Sequence, residues 1–105
     1  MDTLTISLLT LKIDEAKEFN EGACFVVRTQ TGVYVYKNRC PHRGTPLNWL
    51  PDKFLALDKQ LIQCATHGAQ FRIEDGFCVW GPCEGACLEK IEVKVEGDKI
   101  ILPIV

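Results

Sequence analysis

Two short stretches hold the residues suited to metal chemistry. Cys40-Pro41-His42 sets a cysteine and a histidine two positions apart, and Cys64-Ala65-Thr66-His67 sets the same pair three apart. The chain has 105 residues and 2 histidines, and both histidines stand beside a cysteine in this way. Residues 43–63, twenty-one in all, separate the two pairs. Each stretch offers one thiolate and one imidazole from a tight turn. Gly44 and Gly68 follow the histidines closely, where glycine permits positive φ and close approach of backbone to a bound group. Two surface histidines lying near buried cysteines are the plain alternative, and the placement of both histidines argues against it.

Two cysteines and two histidines also make a zinc ligand set. Zinc fingers usually pair their cysteines in one knuckle and their histidines in another, whereas here each loop is mixed. A mixed arrangement suits a cluster with two chemically different irons, one held by two thiolates and the other by two imidazoles. A zinc-stabilised interaction module stays open as the alternative.

Cys40-Pro41-His42-Arg43-Gly44-Thr45-Pro46-Leu47 and Cys64-Ala65-Thr66-His67-Gly68-Ala69-Gln70-Phe71 resemble the two cluster-binding boxes of the Rieske family, and Gly81-Pro82 resembles its proline loop. The resemblance implies one 2Fe–2S cluster, with Cys40 and Cys64 on one iron and His42 and His67 on the other through Nδ1. It also implies where the chain departs from the respiratory branch. That branch has a disulfide between its boxes, and the matching positions here are Thr45 and Thr66. It has a serine and a tyrosine whose hydroxyls donate to cluster sulfur, and the matching positions here are Ala69 and Phe71. In these departures the chain resembles the ferredoxin branch. The unequal ligands imply that an added electron resides on the histidine-ligated iron, the less negative of the two.

These loops need a scaffold, and the rest of the chain reads as one. Leu4 to Leu8 alternates with period two, as a half-buried strand does. Cys24–Thr29 and Val33–Tyr36 flank a polar turn ending in Gly32 and read as a hairpin. Ile91–Val95 and Lys99–Pro103 flank Glu96-Gly97-Asp98 and read as a second hairpin. Ile13 to Glu21 is polar and reads as a connection with one helical turn. Leu61–Gln63 and Gln70–Arg72 are short strand candidates bracketing the second box. The expected fold is all-β, a Rieske-like antiparallel sandwich or barrel over residues 1–105, with a cluster-binding insert at about 38–88. Within the insert Leu47, Trp49, Leu50, Phe54, Leu55 and Leu57 give the spacer apolar content of its own, so it is expected to fold against the body.

Composition bounds the function. With 47% hydrophobic and 25% charged residues the chain is of ordinary globular type. A net charge of −2 without a basic run argues against nucleic acid. No apolar stretch approaches the roughly 20 residues that span a bilayer. The start has neither a basic n-region nor an apolar h-region, so the cytoplasm is the expected location. In a reducing compartment 6 cysteines point to metal or redox chemistry before disulfides. Cys24, Cys78, Cys83 and Cys87 lie outside the boxes. They read first as small buried apolar side chains, with a second metal site or a Cys83–Cys87 disulfide as alternatives. Trp49 and Trp80 read first as core residues, with a place lining the cluster loops as the alternative.

No independent catalytic constellation is present, because both histidines are already assigned. The expected function is a one-electron carrier between a reductase and a terminal oxygenase or other redox enzyme. The alternative is the small Rieske subunit of a larger oxidoreductase such as nitrite reductase.

Overall fold

The unbroken apolar run Cys24-Phe25-Val26-Val27 sets the architecture. A strand with one wet face alternates, whereas a run like this must be covered on both faces. In the computed structural model, which describes residues 3–19, 22–41, 46–48, 54–56, 60–65, 68–81 and 85–103, all four side chains are buried. Cys24 and Val26 enter one core, while Phe25 and Val27 enter another. The run begins strand β3 (Cys24–Thr29), which pairs antiparallel with β2 (Glu15–Phe19) and β4 (Gly32–Lys37). This sheet lies between the two cores.

The first core is closed by a terminal sheet. Strand β1 (Thr3–Ser7) pairs with β9 (Lys99–Pro103), and β9 with β8 (Lys94–Glu96). Leu11, Ile91, Ile100 and Leu102 fill the space between this sheet and the β3 sheet. A single 3₁₀ turn follows β1, and Arg28 holds it by donating from Nη1 to the carbonyls of Leu8 and Leu11, at 3.0 and 2.7 Å. The third sheet, β5 (Leu61–Gln63), β6 (Gln70–Arg72) and β7 (Cys78–Trp80), covers the other core. All pairings are antiparallel, as expected of this all-β chain.

The spacer folds back on this body at the positions described. Phe54 stacks on Phe25 with ring centroids 4.2 Å apart, and Leu47 is buried in the same core. Residues 54–56 run beside β5, with the Gln63 N–H donating to the Phe54 carbonyl at 2.8 Å. Trp49, Leu50 and Leu57 lie outside the described residues.

Three expectations are corrected. The polar stretch read as a connection contains β2, an edge strand in which Ala16 alone is buried. It follows Asp14 at φ +62, a left-handed residue that turns the chain into the sheet. The strand expected at Ile91–Val95 is divided: the Ile91 N–H donates to the Val35 carbonyl beside β4, and only Lys94–Glu96 pairs with β9. Trp80, read as a core residue, is 60% exposed.

Tyr36 joins the central sheet to the third. Its hydroxyl donates to the buried Ile73 carbonyl, and burial, reinforced by the charges of Asp75 and Glu74, holds its phenol well above the usual range. The turn from β6 to β7 is fixed by Asp75. Its carboxyl lies below the usual range because Arg72 donates to it and, second, because the Phe77 N–H does. Gly76 follows at φ +72, and a Cβ there would sit 2.8 Å from the Tyr36 ring and 3.1 Å from the Leu88 Cβ. Gly76→Ala is therefore expected to cost about 2–4 kcal/mol, from left-handed strain and overpacking together. An unchanged denaturant midpoint would contradict this account of the junction.

Candidate metal centre

The first box leaves the end of β4. Lys37 is bound along its backbone to Glu89, and the Asn38 N–H donates to the Ala23 carbonyl at 2.9 Å. Cys40 then turns inward and is fully buried. The second box is the connection between β5 and β6. Cys64 and Ala69 close it, with the Cys64 N–H on the Ala69 carbonyl at 2.8 Å and the Gly68 N–H on the Cys64 carbonyl at 2.9 Å. Gly68 has φ +71, as its place after the histidine anticipates. Cys64 is also fully buried and shares one core with Cys40.

A third loop leaves β7 against the second box. Gly81 has φ +108, and a Cβ there would stand 2.7 Å from the Ala69 Cα. The loop therefore packs on bare backbone, a contact that only glycine permits. Trp80 lies beside the second box as well, its ring 3.5 Å from where a Gly68 Cβ would project. Pro82 lies outside the described residues, so Gly81 is the part of the expected proline loop that can be located.

One side chain that the residue pattern does not single out ties the boxes together. Asn38 donates to the Gly22 carbonyl at 2.9 Å and to Asn48 Oδ1 at 2.8 Å. Its Oδ1 accepts from the Leu47 N–H at 2.7 Å, and the Leu47 carbonyl accepts from the Ala65 N–H at 2.7 Å. Asn48 in turn donates to Glu18 of β2 at 2.9 Å. An asparagine at a strand end, two residues before a ligand candidate, is the signal the sequence carries for it.

The donor chemistry fits an iron–sulfur cluster. Three buried cysteines, Cys40, Cys64 and Cys78, stand outside any disulfide in one core, and the first two lie in the boxes. A thiolate at such depth needs a positive partner to offset its desolvation, and ferric iron is one. His42 and His67 lie outside the described residues, and among the described residues no group of three or more metal-ligating side chains converges.

The other described cysteines lie outside the boxes, and of them Cys78 shares the core of Cys40 and Cys64. Cys24 belongs to the opposite core, and burial pushes its thiol up, partly offset by Lys37. Cys78 is buried in β7 and donates to the Trp80 carbonyl at 3.3 Å. Cys87, read as a buried side chain, is exposed, because it lies at an isolated bridge to Phe77 on the surface. Cys83 lies outside the described residues. Cys83→Ser and Cys87→Ser are expected to keep iron and visible absorption at wild-type levels, because the expected ligand set of Cys40, His42, Cys64 and His67 does not include them. Loss of iron from either variant in folded form would contradict that set.

Comparison with known proteins supports the same reading. The ferredoxin of carbazole 1,9a-dioxygenase from Nocardioides aromaticivorans IC177 is similar in structure, with a TM-score of 0.75 and 23% identity over 97% of each chain. The terminal oxygenase of carbazole 1,9a-dioxygenase from Novosphingobium sp. KA1 is similar at a TM-score of 0.75 and 23% identity, over 95% of this chain but 29% of its own. A chain in a complex of reduced oxygenase and oxidized ferredoxin in carbazole 1,9a-dioxygenase matches at a TM-score of 0.73 and 22% identity, over 95% of this chain and 91% of its own. At these identities the likeness is one of fold. Among curated proteins no relative matches. The model of the Rieske [2Fe-2S] domain matches residues 9–101, which take in both boxes, the Gly81 loop and all or part of each sheet. With that match over nearly the whole length, the chain belongs to the Rieske [2Fe-2S] domain family, and its cofactor is one 2Fe–2S cluster.

Proposed function

We propose that this chain is a one-electron carrier, taking electrons from a reductase and delivering them to a terminal oxygenase or other redox enzyme. Cys40, His42, Cys64 and His67 hold the cluster. When bound, the cluster supplies a site that takes up and releases a single electron. Cys40 and Cys64 offset the charge of the oxidised core from inside the fold. His42 and His67, as neutral donors, leave the other iron the less negative one. Their second ring nitrogens bind protons with an affinity that depends on the oxidation state. Residues 1–105 act as one domain, with residues 38–88 as the cluster-bearing part.

The observation that carries this reading is the match over 97% of the length of the ferredoxin of carbazole 1,9a-dioxygenase, combined with two buried cysteines in loops of the family's pattern. The partner class draws on the relative that occurs in a complex with an oxygenase. Trp80, exposed beside the second box, gives a docking partner an aromatic contact next to the cluster loops. No helix among the described residues is long and apolar enough to cross a membrane. The cytoplasm is the proposed location. The test is an anaerobic titration, in which the protein takes up one electron per chain and returns it to an added oxidant over repeated cycles. Uptake of none, or irreversible bleaching in the first cycle, would contradict a carrier.

A further inference from the structure

Asn38 is the one buried asparagine, glutamine, serine, threonine or charged residue among the described residues, at 9% exposure. Burying an amide is costly unless it is hydrogen-bonded, and here Nδ2 makes two donations and Oδ1 accepts one bond. Its two functions are separable. The donations to Gly22 and Asn48 fasten the residue to the body of the protein. The acceptance from Leu47 fixes a backbone that in turn fixes Ala65. A short path therefore runs from a side chain two residues before Cys40 to the backbone directly after Cys64.

We propose that Asn38 is a positioning residue for the cluster: through its Oδ1 and Leu47 it sets the separation of the Cys40 and Cys64 loops. This rests on the reading of Cys40 and Cys64 as ligands. A cluster has a fixed distance between its two cysteine sulfurs. Loops held at that distance bind it without further ordering, and loops released from each other lose it faster. A residue that merely braced the fold would lower stability through its donations and leave the cluster's lifetime in folded protein unchanged.

Substitutions divide the two roles. Asn38→Asp keeps an acceptor for the Leu47 N–H and loses both donations. Asn38→Leu keeps the approximate shape and loses everything. Asn48→Ala removes a peripheral partner and keeps the Leu47 bond. Each is purified with its cluster, and three quantities are measured: iron transfer to a ferrous chelator, the electron paramagnetic resonance spectrum of the reduced form, and the thermal midpoint. In Asn38→Leu iron loss is expected to accelerate by about 10- to 100-fold, in line with the affinity lost when an outer-shell partner of a metal site is removed. Its resonance lines are expected to shift or broaden. Asn38→Asp and Asn48→Ala should stay within about threefold of wild type in iron loss, even where their thermal midpoints fall.

Folded Asn38→Leu with wild-type iron loss and spectrum would overturn the proposal while leaving the ligands in place. Should Asn38→Leu not fold, Asn38→Asp decides: iron loss raised about tenfold or more in it would show that the donations matter and the tie does not. A wild-type protein with no iron at all would overturn the ligand reading itself, and the proposal with it.

Discussion

The double variant Ala69→Ser, Phe71→Tyr is expected to raise the midpoint potential by on the order of 100 mV, the largest shift any pair of added atoms should produce here. A donor to a cluster sulfur favours the reduced state, which carries the additional negative charge. A hydrogen bond to a charged acceptor is worth about 1.5–3 kcal/mol. For a one-electron couple, about 59 mV is a tenfold change in equilibrium constant. Rieske centres span roughly −150 to +300 mV, and hydrogen bonds to sulfur are among the main controls. The side chains of Ala69 and Phe71 bear no hydroxyl, so the wild-type potential is expected near the bottom of that range, suited to electrons from a flavin- or nicotinamide-linked reductase.

The structure sharpens this test. Ala69 and Phe71 are both fully buried, Ala69 at the close of the second box and Phe71 in β6 opposite Cys78. A hydroxyl added at either position must find an acceptor or cost about 1–3 kcal/mol as an unsatisfied buried group. Donation to sulfur therefore predicts a raised potential with stability nearly kept. A stable cluster with an unmoved potential, or a wild-type midpoint well above zero, would contradict the argument. Protein-film voltammetry at fixed pH reads both.

Gly81→Ala should have the largest effect on cluster retention among the glycine substitutions. Its φ of +108 strains any side chain, and its Cβ would meet the Ala69 Cα at 2.7 Å, the Ala69 Cβ at 3.0 Å and the Ala69 nitrogen at 3.3 Å. The obstacle is mostly backbone, which cannot swing aside as a side-chain end can. The loop after β7 must then lift from the second box. The expected destabilisation is about 2–4 kcal/mol, the sum of strain and overpacking. Gly85→Ala is the control: its φ is +93, yet a Cβ there would meet nothing within 4 Å. It should show strain alone and retain its cluster. Thermal unfolding and iron release measured on both variants isolate the contact. Equal behaviour of the two would contradict the view that close packing on Ala69 protects the second box.

Where chemistry dictates residue type, the sequence is informative. The two boxes are legible because both histidines of the chain stand beside a cysteine, a placement that ligand chemistry demands and chance rarely produces. The β3–β4 hairpin and the terminal hairpin are legible because their apolar runs end at turn residues. Strand β2 is not, because an edge strand with one buried side chain, Ala16, carries almost no hydrophobic signal. The division of Ile91–Val95 between two sheets is hidden as well, since alternation tells a strand from a helix but not which partner it meets. Trp80 misleads because a tryptophan is usually covered. Here the ring lies beside Gly68 of the second box and yet stays 60% exposed. Asn38 is inconspicuous for a different reason. Its importance lies in hydrogen bonds to Leu47, Asn48 and Gly22, which are distant in sequence and follow no spacing rule.

The central claim is that one 2Fe–2S cluster is held by two cysteines and two histidines of this chain. Chemical analysis of iron, zinc and acid-labile sulfide, joined to electron spin-echo spectroscopy of the reduced protein, tests it most directly. The account predicts about two irons and two sulfides per chain, with two nitrogen couplings that vanish one at a time in His42→Cys and His67→Cys wherever a cluster still assembles. A colourless protein carrying one zinc, or an iron–sulfur signal with no nitrogen coupling, would contradict it.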